Sequence, residues 1–142
     1  MKITTPRKFL MTALLTFISG ASMAAPPDAD CSDRKNTFDI TNCMIEKMDA
    51  KEVKLRKYLS AAQKREKETG GNDEEIIETQ KIWENYVGKH CGYLYSREPG
   101  SARYRDSAEC QLRLYDERIK EIWLAYLTYN GSTPPVLPDP KD

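Results

Sequence analysis

LRLYDERIKEIWLAYLTYNG, residues 112–131, reads as one helix with a single apolar face. Leu112, Tyr115, Ile119, Ile122, Tyr126 and Tyr129 step by three, four, three, four and three residues. That period brings side chains onto one side of an α-helix. Trp123 and Leu127 widen the stripe. Asn130-Gly131 ends it, because glycine readily takes the left-handed conformation that follows a helix C-terminus. The following TPPVLPDPKD cannot extend a helix, since proline lacks the backbone N–H. Residues 131–142 are therefore expected to be a proline-rich tail, disordered or extended.

An amphipathic helix must cover its stripe, and two more segments of the same kind precede it. In the nearer one, Ile76, Gln80, Trp83, Val87, Cys91 and Leu94 recur at steps of three and four, with Tyr86 and His90 on the flank. Asn72 offers an N-cap, with Glu75 three residues on as the reciprocal half of a capping box. Asp73, Glu74 and Glu75 suit the positive end of the helix dipole, so this acidic cluster reads as a solvated first turn rather than a metal or catalytic site. The earlier segment runs from Thr37 to Glu68 with no proline, and Met44, Met48, Leu55, Leu59 and Ala62 mark its apolar face. Gly70-Gly71 stops it. No segment alternates with period two for long enough to form a strand. The fold class expected is all-α, a three-helix antiparallel bundle with short connections.

In such a bundle the start of helix one, the end of helix two and the start of helix three share one pole. Cys43, Cys91 and Cys110 all fall there, and Cys31 is close by in sequence. Four cysteines permit three pairings. Cys31–Cys43 with Cys91–Cys110 is the favoured set, because each bridge closes a local loop.

The N-terminus points to an oxidising compartment. Lys2, Arg7 and Lys8 precede the apolar run FLMTALLTFISG and the small residues ASMAA. A positive n-region, a short h-region and a small-x-small site make a secretory signal, with cleavage expected after Ala24. The apolar run is shorter than the roughly 20 residues that span a bilayer, so no stable membrane insertion is expected after cleavage. Export to the periplasm or medium follows, where an even number of cysteines forms disulfides. The organisation is then a signal peptide over 1–24, a helical domain over 25–130 and the tail over 131–142.

Removing 24 of the 142 residues leaves 118, and losing three basic residues takes the net charge from zero to −3. That balance offers no footprint for nucleic acid. No Cys-x2-Cys pair exists and the only histidine, His90, adjoins a cysteine expected to be bridged, so no metal is implied. No phosphate-cradling glycine loop or dinucleotide fingerprint occurs, so no cofactor is implied. No set of nucleophile, base and orienting group can be assembled either, and the chain does not read as an enzyme.

The assembled motifs resemble the LprI-type lysozyme-inhibitor-like family of small exported helical domains. The resemblance rests on Cys43, on Leu55 and Tyr58, and on Gln80-x-x-Trp83-x-x-Tyr86 with Cys91 five residues further on. Gly100-Ser101 and Cys110 with Leu114, Arg118 and Ile122 complete it, over about residues 31–125. Two positions depart from the family pattern. Val87-Gly88 stands where the family commonly has Arg-Asp or a similar pair, and Tyr115 where it often has Thr. The resemblance implies structural roles for Leu55, Tyr58, Gln80, Trp83, Tyr86 and Arg118. It also implies a lysozyme or another peptidoglycan hydrolase as the partner.

CGYLYSREPGSARYRDSAEC, residues 91–110, is the stretch expected to meet that partner. Tyr, Arg, Ser and Gly dominate protein recognition surfaces, and closing the loop with a disulfide lowers the entropy cost of docking. Lysozymes work with two carboxylates in a sugar-binding cleft. Cations and hydroxyls on a stapled loop would pair with them. Arg97 and Arg103, flanking the Pro99-Gly100 turn, are the first candidates, followed by Arg105, Ser101, Tyr95 and Tyr104. The alternative reading is a non-catalytic binding or immunity module for another cell-envelope protein.

Overall fold

Three helices follow one another in a computed structural model that describes residues 31–97 and 99–141. They are α1 (Thr37–Thr69), α2 (Asp73–Arg97) and α3 (Ala102–Ile122), and α3 runs on into one π-helical turn, Trp123–Leu127. A single 3-10 turn, Cys31–Asp33, leads into α1. No strand occurs among the described residues. The all-α bundle expected from sequence is therefore the fold. The signal expected over residues 1–24 lies outside the described residues.

Local chemistry sets the ends. Asn36 caps α1 by accepting from the Asp39 N–H at 2.9 Å, while its amide donates to the Asp39 carboxylate at 2.8 Å. Gly70 closes α1 in the left-handed region at φ 77°, and the Gly71 N–H returns to Glu66 O at 2.8 Å. Asn72 then accepts from the Glu74 N–H and opens α2. Gly100 makes the second reversal at φ 72°. Connections this short force antiparallel neighbours.

α3 is the common wall, packed against both α1 and α2. Its Ile119, Ile122 and Leu127 are almost wholly buried with Leu55, Tyr58 and Ala62 of α1 and Ile76 of α2. Burial contributes about 1.5–3 kcal/mol for each large aliphatic side chain. A second cluster gathers Val87 and Cys91 of α2 with Cys110 and Leu114 of α3. A third holds Cys31, Cys43, Met44 and Ala108. The bridges are Cys31–Cys43 and Cys91–Cys110, the favoured pairing, and both sit at the expected pole.

The third helix departs from its expected stripe in two ways. Leu112 is only half-buried, whereas Leu114 and Arg118 turn inward. Helical structure also stops at Leu127, so Tyr129 leaves the stripe and lies exposed. Arg65 of α1 meets this end. Its guanidinium donates to the Tyr126 carbonyl and, at 2.8 Å, to Thr128 O, which satisfies carbonyls that the helix end leaves open. The same guanidinium lies 4.0 Å from the Tyr129 ring centroid.

Residues 131–141, expected as a disordered or extended tail, run without helix along α1 and the end of α3. Leu137 packs against the main core. Backbone carbonyls of the tail accept from Tyr58, Lys54 and Trp123. Proline removes donors that would need partners, yet it leaves every carbonyl available.

Candidate functional site

The family-motif residues explain how the candidate pole is held. Arg118 is 8% exposed, and its Nε donates to Gln80 Oε1 at 3.1 Å across the α2–α3 interface. Its Nη1 donates to Glu121 at 2.7 Å, and Gln80 Nε2 donates to Glu84 at 3.1 Å. A buried guanidinium is thus compensated on both sides, as burial of a charge requires. One turn further on, Trp83 meets Tyr115 edge to face at 5.3 Å. Burial raises the Tyr115 phenol above its ordinary value, with Glu52 and Glu84 adding to the shift. Leu55 and Tyr58 lie in the main core. Tyr86 differs from the others: it is exposed and stacked on His90 at 5.3 Å.

These contacts lead to the 91–110 span, which is not a loop. Cys91–Arg97 closes α2 and Ala102–Cys110 opens α3, so the disulfide ties two helices across a tight turn. The stretch is rich in Gly, Ser and Tyr, yet the helical periods on both sides continue through it. Helix extension wins because each added residue completes a hydrogen bond to the previous turn.

The six candidate residues sit on this turn. Ser101 occupies the N-cap position of α3, though its side chain makes no capping bond. Arg103 Nε donates to Gly100 O at 2.9 Å, and its guanidinium lies 5.4 Å from the Tyr95 ring centroid. Tyr95 meets Tyr104 edge to face at 5.3 Å, joining α2 to α3. The closeness of the two phenols pulls Tyr95 below its ordinary value, helped by Arg103, and pushes Tyr104 above its own. Arg105 donates to Asp106 at 3.0 Å and has Glu109 at 3.9 Å, so intrachain carboxylates already answer its charge. Arg97 is the exposed last residue of α2.

Sequence reading missed what lies beside the turn. A mainly apolar groove of about 270 Å³ runs between α1 and the hairpin, lined by Met44, Ile45, Met48, Tyr95, Tyr104 and Ala108. A smaller depression of about 170 Å³ adjoins it, rimmed by Ser101, Tyr104 and Arg105. Tyr95, Ser101, Tyr104 and Arg105 therefore share one concave surface, which Arg97 and Arg103 do not line. Met44 and Met48 were legible only as core positions, and Ile45 lies off that stripe. Which face of α1 lies across the pole could not be read from their spacing.

The family model described as lysozyme inhibitor LprI matches residues 28–122. The chain belongs to the LprI family. No curated protein and no solved structure matches it. Within the LprI pattern, the departure at Val87 is a packing feature: its side chain is buried with Cys91, Cys110 and Leu114. Gly88 faces outward, and a Cβ there would meet nothing within 4 Å. Tyr115, the other departure, is held by the ring of Trp83. Membership is in a family of inhibitors, and the two disulfides suit an oxidising, extracytoplasmic compartment. Among the described residues no helix is long and apolar enough to cross a membrane, and no three His, Cys, Asp or Glu side chains group as metal ligands.

Proposed function

We propose that this LprI-family protein is exported to the periplasm or medium and inhibits a lysozyme or related peptidoglycan-cleaving enzyme without catalysis of its own. The inhibitory element is the α2–α3 turn, fastened by Cys91–Cys110 and presented to the enzyme's cleft. The observation that carries this reading is the Tyr95–Tyr104 pair. It is a braced aromatic edge, with Tyr104 48% exposed, beside an apolar groove and beneath the Arg103 guanidinium. Rigid tyrosines lose little entropy on docking and supply both contact area and hydroxyls. Arg97 and Arg103 supply positive charge for a cleft that works with carboxylates. Arg105 contributes less, because Asp106 and Glu109 already engage it.

The test is turnover of peptidoglycan by a panel of lysozymes, with the oxidised protein added. Wild type is expected to inhibit at least one of them. Tyr95→Ala/Tyr104→Ala and Arg97→Ala/Arg103→Ala are each expected to weaken inhibition ten-fold or more, with helical content unchanged. Full inhibition by both variants would move the element away from the turn. No inhibition by wild type would leave the alternative, a binding or immunity module for another envelope protein.

A further inference from the structure

The end of the chain is seated as a bound peptide would be. The family match spans residues 28–122, and the segment in question follows it. It occupies a built groove between α1 and the π-helical turn. Trp123 Nε1 donates to Leu137 O at 2.8 Å, and the Tyr58 hydroxyl donates to Pro138 O at 2.9 Å. Two successive carbonyls are thus read by an indole and a phenol. Lys54 donates to Pro140 O, and Lys120 pairs with Asp139 at 2.6 Å. The Val136 N–H donates to Leu127 O at 2.8 Å, and the Leu137 side chain packs against the core.

These contacts combine two forms of recognition. Aromatic-lined grooves take extended proline-rich segments by donating to carbonyls that the prolines leave without competing N–H groups. An apolar pocket and a cation then select the side chains on either side of Pro138. The π-helical turn serves the same end, since it carries both the Trp123 indole that donates to Leu137 O and the Leu127 carbonyl that accepts from Val136 N–H. The connection through residues 129–135 is exposed and pivots at Gly131, φ 87°, so the segment can leave without opening the bundle.

We propose that the α1–α3 groove is a recognition site for an extended, proline-flanked Leu-Pro-Asp segment. Residues 136–140 fill it in cis, and the same sequence presented in trans competes with them. Proteins carrying such a segment are the partners it fits, and the tail sets the threshold for their entry. A site occupied in cis binds in trans with an affinity lowered by the fraction of time it stands open.

The experiment titrates a fluorescent peptide of residues 132–141 against the full chain and against a Leu137→Ala/Asp139→Asn variant with a weakened tail. The variant is expected to bind the peptide at least ten-fold more tightly than wild type. Adding Trp123→Phe, which removes the indole donor, is expected to abolish that gain. An unfolded variant is excluded by helical circular dichroism. Binding no tighter than wild type in a folded variant overturns the proposal, as does a gain that survives Trp123→Phe. Hydrogen exchange on wild type decides the matter independently of any variant. Excess unlabelled peptide is expected to raise exchange at the Val136 amide, and unchanged protection at saturating peptide overturns competition for the groove.

Discussion

Gln80 and Arg118 show how a single pair fixes the site. Replacing Gln80 with Leu would leave the Arg118 Nε without its cross-helix acceptor, while Glu121 still holds the other arm. An unsatisfied buried donor costs about 1–3 kcal/mol. Gln80→Leu is therefore expected to destabilise by that amount in urea unfolding. Gln80→Leu/Arg118→Met is expected to cost less than the two single changes added together, because both polar partners then leave at once. Gln80 was legible as a position of the α2 stripe, and its structural role was implied only by the family pattern. Arg118 could be named only from the family pattern, because α3 carries arginines at several positions and periodicity does not say which one turns inward. The choice is made by the rotation of α3 against α2.

Among the elements, the α2–α3 hairpin and the tail carry separable predictions. Cys91 and Cys110 are 19 residues apart, and closing a loop of that size contributes about 3 kcal/mol by chain entropy. Cys91→Ser/Cys110→Ser is expected to lose about that much stability in chemical denaturation. Inhibition should fall further than stability alone explains, since the Tyr95–Tyr104 edge loses its fastening. The tail responds to acid. Asp139 lies below the ordinary carboxylate value, first because Lys120 donates to it and then because the Lys141 N–H does. A carboxyl depressed by folding contributes fully above its unfolded value of about 3.9, and the contribution fades as pH falls through the lower folded value. Trp123 emission is therefore expected to stay constant through neutral pH and to shift only in strong acid, with Asp139→Asn flattening that shift. The helices themselves were legible from period, caps and glycines. The packed course of the tail was not, because an extended segment carries no periodic signal and its partners on α1, Lys54 and Tyr58, are 86 and 80 residues away in sequence.

For the whole molecule, one buried core draws on all three helices, so the helices should not unfold independently, whereas the tail adds only the partly buried Leu137 at its edge. Far-ultraviolet circular dichroism and tryptophan fluorescence are expected to report a single coincident transition; two separated midpoints would divide the bundle into independent units. The sequence by itself determined the class of fold, the three helices and the family, and it favoured the two local disulfides among three possible pairings. All of these follow from short-range period, end chemistry and motif spacing, which are properties of neighbours along the chain. Tertiary structure alone decided that the stapled stretch is a helical hairpin, that α1 lends Met44, Ile45 and Met48 to its groove, and that the tail lies on Tyr58 and Trp123. Each of these depends on how far one helix is rotated and shifted along another. Packing of whole faces sets that choice, and helical period leaves it open.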